Sequence, residues 1–462
     1  MKRLNSCPRR GSTLILTLVF VVMFSALAVA MAGMSGVNVQ VAKNQRTVDN
    51  VRGAAESGQE ILRYWLSGVS FTGTTSPSQR LAVLHSSLQS NLAAAGVTNI
   101  VPILGASTIT IPSVPLDSYQ TFSAVLTKIS DTELQVDVTG NYRGITRTLR
   151  STYLFSTRAH NIFDYGLGSK GPMHLAGNLD VTVLDNQLLV ESNALIVTSL
   201  ASSIALTMEG RSKIGGTVTL TDLTDNAIIG NNAWIGGLKG QYAYQNVFYD
   251  DTYVEFPEMQ PSEFYPWATN TLTTATPNGG TWDNVIVPPG LNPTFSGGPH
   301  LRGVVYIQTP NIVTFGGGTM ITGVIVTNGP PWHNPDPSAP DALITFGSNV
   351  DSRGVDQLPA EPQFAGLQQK TGTFIVAPGF RVVFTGTFGT LSGAIAANGF
   401  YMSGGSGGVV NGSIINYADN EMYLSGNGNV YFNRSGTAEV PAGFVPQTVM
   451  RYDPTSYAEV PL

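Results

Sequence analysis

Side chains able to do catalytic chemistry are few in this chain, and they are scattered. Asp351, Arg353 and Asp356 form a short charged group of the kind a polysaccharide lyase or hydrolase needs, where clustered carboxylates act as acid and base on one face of the substrate. Their neighbours are polar, which favours a solvated loop instead. His333 with Asp336 and Asp341 offers three metal-ligating side chains, yet a single histidine among prolines lacks the multi-ligand spacing of a zinc site. His85, His160, His174 and His300 stand alone. The chain holds no G-x-S-x-G, H-E-x-x-H, P-loop or dinucleotide fingerprint in a supporting context, and no EF-hand loop. The expectation is a protein that is not an enzyme and carries no metal or cofactor. Phe264, Tyr265, Trp267, Trp282 and Trp332 suggest another chemistry, since aromatic faces in loops stack on sugar rings; the competing reading has them packing back over their own domain.

The N-terminus says where these side chains work. No charged residue occurs between Gly11 and Ala42, and the run Ser12 to Met34 is as long as the roughly 20 apolar residues that cross a bilayer as a helix. Lys2, Arg3, Arg9 and Arg10 precede it and the next basic residue is Lys43, which places the N-terminus in the cytoplasm and the rest of the chain outside. The run lacks a small-x-small cleavage box followed by a polar start, so it is expected to be retained. Val48, Val51, Ala55, Leu62 and Trp65 then recur at spacings of three and four, predicting a continuing amphipathic helix, with Gly33, Gly36, Gly53 and Gly58 as candidate kinks.

A basic leader ending in glycine and followed at once by a long apolar helix resembles the processing signal of type IV pilins and pseudopilins. An AAESG element from Ala54 to Gly58 is similar to one found in PilX-type minor pilins. The resemblance implies cleavage by a prepilin peptidase between Gly11 and Ser12, residence in the inner membrane of a bacterial envelope, and assembly with other pilin or pseudopilin subunits of a pilus or type II secretion pseudopilus. One departure stands out, for the glutamate that most members carry at the fifth mature position is Leu16 here. Cys7 is the single cysteine and lies in the leader, so a processed chain would have no disulfide.

Composition agrees with an extracytoplasmic, mainly β protein. Only 12% of residues are charged against a usual 25% or so, and glycine is abundant, at 51 of 462. The formal charge is -6, and losing the four basic residues of the leader takes it to -10, which excludes nucleic acid as a natural partner. A short helix around Gln79 to Ala95 and alternating strands from Tyr119 to Ser156 predict a small α+β region. From Asp164 the pattern becomes one of short apolar runs between Gly, Asn and Ser. RGVVYI at Arg302 and TGVIVT at Thr322 echo each other, as do SGAIAA at Ser392 and NGSIIN at Asn411. A second set comprises FTG at Phe384, YMSG at Tyr401, YLSG at Tyr423, HLAGN at His174 and IIGNN at Ile228.

A repeat of roughly 18 to 22 residues reads as coils of a parallel β-helix. Within it Val324 and Val326 are expected to face the core and Ile325 to face out. A Gly-rich solenoid behind a PilX-like N-terminus is similar to a group of large pilin-like proteins. The expected organisation is therefore a leader at 1–11, a transmembrane helix at 12–34, an amphipathic helix at 35–67 and an α+β region at 68–160. A β-helix at 161–440 follows, with loops inserted at about 241–298 and 330–342, and a tail at 441–462. Function divides between a pilin-like subunit whose β-helix head serves assembly, adhesion or surface presentation, with surface glycans as partners, and a membrane-anchored carbohydrate-binding or carbohydrate-active protein.

Overall fold

The structure is a computed structural model describing residues 12–69, 71, 75–94, 96–184, 189–198, 204–250, 254–336, 338, 340–434 and 440–460. It is mainly β and divides into two units, one of residues 1–71, 75–156 and 448–462 and the other of 72–74 and 157–447.

The first unit is built on one unbroken helix, α1 (Ser12–Ser67). None of the four glycines breaks it. Its outer half buries Val51, Ala54, Ala55, Leu62 and Leu66 against an antiparallel sheet, completed by α2 (Arg80–Ala94), whose Leu81, Leu84, Leu88 and Leu92 are buried. Glycine sits where helix and sheet come closest. A Cβ on Gly140 would lie 2.5 Å from the backbone of Val51 and Ala55, and one on Gly58 would strike Phe122 at 2.5 Å. Glycine is therefore required here by contact, and its low helix propensity is offset by the packing it permits.

The sheet orders strands β1 (Ile103–Leu104), β2 (Thr108–Pro115), β3 (Gln120–Lys128), β4 (Glu133–Tyr142) and β5 (Ile145–Arg158), and then Gln447–Val460. That last segment, expected as a tail, is the sixth strand. Thr152 donates its N–H to Ser456 Oγ at 2.7 Å, Arg147 pairs with Glu459 at 3.2 Å, and Tyr153 packs on Tyr452. Partners in descending order along one strand and ascending along the other mean that the two run antiparallel, with Arg158 and Gln447 at the same end.

The second unit stacks its coils into three sheets in which consecutive strands of a coil alternate, and all but one of the paired strands within them run parallel. The first sheet contains Leu167–Ser169, the second Met173–Leu175 and the third Asp180–Val183. Along the second sheet the order is Thr294–Phe295, Asn311–Phe315, Ala342–Phe346, Arg381–Phe384, Phe400–Met402, Met422–Leu424, Met173–Leu175, Ile204–Met208 and Asn226–Ile229. The coils are thus not stacked in chain order. The chain enters in the middle of the stack, winds to one end at Tyr249, resumes at the opposite end at Asn270, and winds back until its last coil lies on its first.

The interior holds columns of apolar side chains in register from coil to coil. Phe295, Phe315, Phe346 and Phe384 stack with ring centroids 4.8 to 5.2 Å apart. Val285, Val305, Ile325, Ile375, Ile395, Ile414, Leu167, Ala194, Val218 and Val247 are in register down the first sheet. Glycines mark its bends. Gly303 pairs with Gly323, and a Cβ on Gly323 would approach the Gly303 carbonyl oxygen to 1.9 Å at a φ of +146°.

The first sheet is covered on its outer face as well. Val304, Tyr306, Val324, Val326, Val376 and Ile415 form a second core with Phe256, Met259, Phe264, Phe364 and Leu367 from the loops. The phase expected for 324–326 is therefore inverted. Ile325 faces the solenoid interior, and Val324 and Val326 face the loop layer, because the outer face is as dry as the inner.

Candidate functional site

The most distinctive surface is the first part of α1. From Leu14 to Arg46 every residue is exposed, including Phe20, Met23, Phe24 and Leu27. This stretch is long and apolar enough to cross a membrane, with a mean hydropathy of 2.8 over its most apolar window. Leu16 is 57% exposed. Ser12, which follows the expected cleavage point, is the first described residue and lies in α1, while Gly11 and Cys7 lie outside the described residues.

Four of the five candidate stacking aromatics are engaged internally. Phe264 is wholly buried in the loop layer. Trp267 donates its indole N–H to the Ala365 carbonyl at 2.9 Å, and Trp282 donates to Gly279 at 2.8 Å while packing on the solenoid core. Tyr265 is half exposed and meets Tyr306 edge-on at 5.1 Å. Trp332 differs, being 82% exposed. Its loop is nonetheless tied down: Asn398, buried beneath it, donates to the Pro331 carbonyl at 2.8 Å and to Asn334 Oδ1 at 3.2 Å. His333 Nε2 lies 2.9 Å from Asp341 Oδ1, and Asp336 accepts from Ser338, so the three metal-ligating side chains that the sequence offers here are used within the loop. Among the described residues there is no group of three metal-ligating side chains.

The charged group at Asp351 does not assemble into a site. Asp351 Oδ1 accepts from the Thr390 N–H at 3.0 Å and Arg353 is exposed. A different network forms, from residues that sequence reading passed over. Both oxygens of Asp283 accept from Arg302 at 2.6 Å, Arg302 also reaches Glu361 at 3.4 Å, and Gln363 donates to Asp283 at 3.2 Å and to Glu361 at 2.7 Å. Asp283 and Arg302 are one coil apart and stack in register, a pairing the repeat length could have revealed; Glu361 and Gln363 arrive from a loop and carried no such signal. Both carboxylates are engaged, by the Arg302 guanidinium and the Gln363 amide. The network fastens the loop layer to the coil, helped by Asn284 Nδ2 donating to the Gln363 carbonyl at 3.1 Å. Nearby, His300 Nε2 is 2.9 Å from Thr322 Oγ1, and burial, with Arg302 and Arg353 adding to it, lowers its pKa.

Residues 10–60 match the PilX N-terminal family. The N-terminal segment is PilX-like. The match ends before the sheet and the solenoid begin. No curated protein matches the chain. Among solved structures, the competence-associated pilin ComZ from Thermus thermophilus is similar over 90% of this chain and 97% of that one, at 11% identity and a TM-score of 0.23, a value at which two folds do not superpose as wholes.

Proposed function

We propose that the protein is a single-pass minor-pilin-like subunit, held in the inner membrane by the first part of α1 with its sheet and solenoid outside, and assembled into a pilus or secretion pseudopilus. The observation that carries this reading is the division of α1. One continuous helix is exposed and apolar over its first half, and buries one face against its own sheet over its second. An exposed apolar helix is stable only in lipid or against other such helices. Leu16, in place of the acidic residue that the resemblance leads one to expect, suits a minor position better than a fibre shaft. The role in this reading is structural or presentational, and the one cluster of acidic and basic side chains on the coils that carries several contacts, Asp283, Arg302 and Glu361, serves to fasten a loop to a coil.

Mass spectrometry of the chain recovered from membranes tests the reading. A mature N-terminus at Ser12 with the helix retained is expected; an intact Met1, or a start beyond Ala32, would overturn it. The exposed Trp332, held by a braced loop, is the side chain best placed to stack on surface glycans, and Trp332→Ala should then reduce adhesion of whole cells to glycan-coated surfaces without changing the amount of protein displayed.

A further inference from the structure

The outer face of the second sheet, unlike that of the first, meets water. Along its strands Ala342–Phe346, Arg381–Phe384, Phe400–Met402, Met422–Leu424 and Met173–Leu175, buried residues alternate with half-exposed ones. Across this face runs a row of flat polar groups, one to a coil. Arg381 lies over the Tyr401 ring at 5.3 Å, Tyr401 stacks on Tyr423 at 5.3 Å, and His174 meets Tyr423 edge-on at 5.0 Å. Trp332 belongs to the same corner of the solenoid. Asn398, which ties down the Trp332 loop, also accepts from the Gly379 N–H at 2.9 Å, and Gly379 and Asn398 lie just before the strands of Arg381 and Tyr401.

Arg381 is the only charged residue between Thr371 and Ala418. It is half-buried, and among the described residues its guanidinium makes no hydrogen bond or ion pair. Burial lowers its pKa, and Tyr401 alone acts against that. Withdrawing a cation from water costs free energy that a carboxylate partner ordinarily offsets, and here the chain supplies only an aromatic face. The hydroxyls of Tyr401 and Tyr423 are likewise unbonded among the described residues, whereas that of Tyr417 donates to the Pro257 carbonyl at 2.7 Å. Glu421 and Glu209 stand at the other end of the row, 3.4 and 3.7 Å from the nitrogens of His174, and Asp336 and Asp341 of the Trp332 loop are engaged by Ser338 and His333.

We propose that this row binds a linear acidic glycan running across the coils, with a sugar carboxylate on Arg381, sugar hydroxyls on Tyr401 and Tyr423, and a sugar ring against Trp332. The proposal rests on the glycan reading of Trp332 and adds the charge of the ligand and its direction. A guanidinium offers two parallel N–H donors to a carboxylate. The groups of the row repeat at the strand spacing, about 4.7 to 4.9 Å, in a straight line that suits an extended polymer. From Leu343 to His174 no large apolar side chain of the row is exposed, so the face lacks the apolar centre of a protein–protein contact.

The test measures binding of the full chain in detergent to hexasaccharides of galacturonate, mannuronate and guluronate, each beside its methyl ester, which keeps the sugar and removes the charge. At least one acid should bind about tenfold tighter than its ester, a preference that salt weakens, Arg381→Gln abolishes and Arg381→Lys partly keeps. Trp332→Ala should weaken acid and ester alike, and every variant should keep the native β circular dichroism. No acid preference in the native chain, or one that survives Arg381→Gln, would overturn the proposal, while weaker binding by Trp332→Ala would still uphold the reading of Trp332. An acid preference that depends on Arg381 with no effect of Trp332→Ala would uphold the Arg381 site and overturn that reading. Binding of none of the hexasaccharides would overturn both.

Discussion

At the scale of single residues, burial sets both chemistry and stability. His160 caps a short helical turn, its Nδ1 accepting from the Ile162 N–H at 3.3 Å, and burial, with Arg158 adding to it, lowers its pKa to about 4. The unfolded chain holds this histidine near the ordinary 6.5 and so binds more protons than the folded chain between those values. Stability is therefore at its full value above about pH 6.5, falls as pH drops toward 4, and changes no further through this group below that. His160→Asn keeps a capping acceptor and removes the titration, so urea midpoints measured from pH 4 to 7 should vary less in the variant than in the native chain. Along 324–326 the alternation of side chains was legible in the sequence and its phase was not, since three consecutive aliphatic residues do not say which face is drier. Ile325→Ala should cost about 2 to 5 kcal/mol through lost burial and the cavity left behind. The cost of Val326→Ala should shrink in a Phe264→Ala background, where the shared loop layer is already disrupted, while that of Ile325→Ala should not; denaturant unfolding of the three single and two double variants gives the two couplings.

At the scale of elements, the glycine echoes mark real structure. Gly303 and Gly323 stack because a strand that bends at the same point in each coil brings backbone onto backbone, and a Cβ has no room there. Tyr401 and Tyr423, the tyrosines of the second set of echoes, are in register and stack at 5.3 Å, with His174 next in the column. What the echoes did not announce is how a coil end is sealed. Tyr244 supplies one hydroxyl to both an N–H and a carbonyl of Asn226–Ile229, the last strand in its sheet, which a periodic pattern cannot show because the cap occurs once. Tyr244→Phe keeps the ring and removes both bonds. A loss of about 1 kcal/mol is expected, read as a shift in the thermal midpoint, with amide exchange accelerated at Ile229.

At the scale of the whole molecule, the solenoid is an insertion. The first unit leaves its sheet at Arg158 and returns to it at Gln447, at neighbouring ends of antiparallel strands, so closing the gap directly costs little chain entropy. Replacing residues 159–446 by a short Gly/Ser linker should leave a head that unfolds cooperatively with mixed α and β circular dichroism. The complementary piece, 159–446, should be a β-rich folding unit by itself. A piece running on to Leu462 would carry Gln447–Val460 as an orphan strand and should aggregate more readily. Loss of cooperativity in the spliced head would show that the sheet depends on the inserted coils.

The sequence by itself determined the membrane-length helix, the PilX-like start, the mainly β class and the stacking residues of the coils. Each of these rests on local period or composition, and local rules act within one element. Tertiary structure alone decided the position of the last strand in the first sheet, the entry of the chain at the middle of the stack, and the second core outside the first sheet. These depend on which distant edges find each other, and the backbone groups along an edge pair alike with any strand that reaches them, so no single stretch of sequence records the choice.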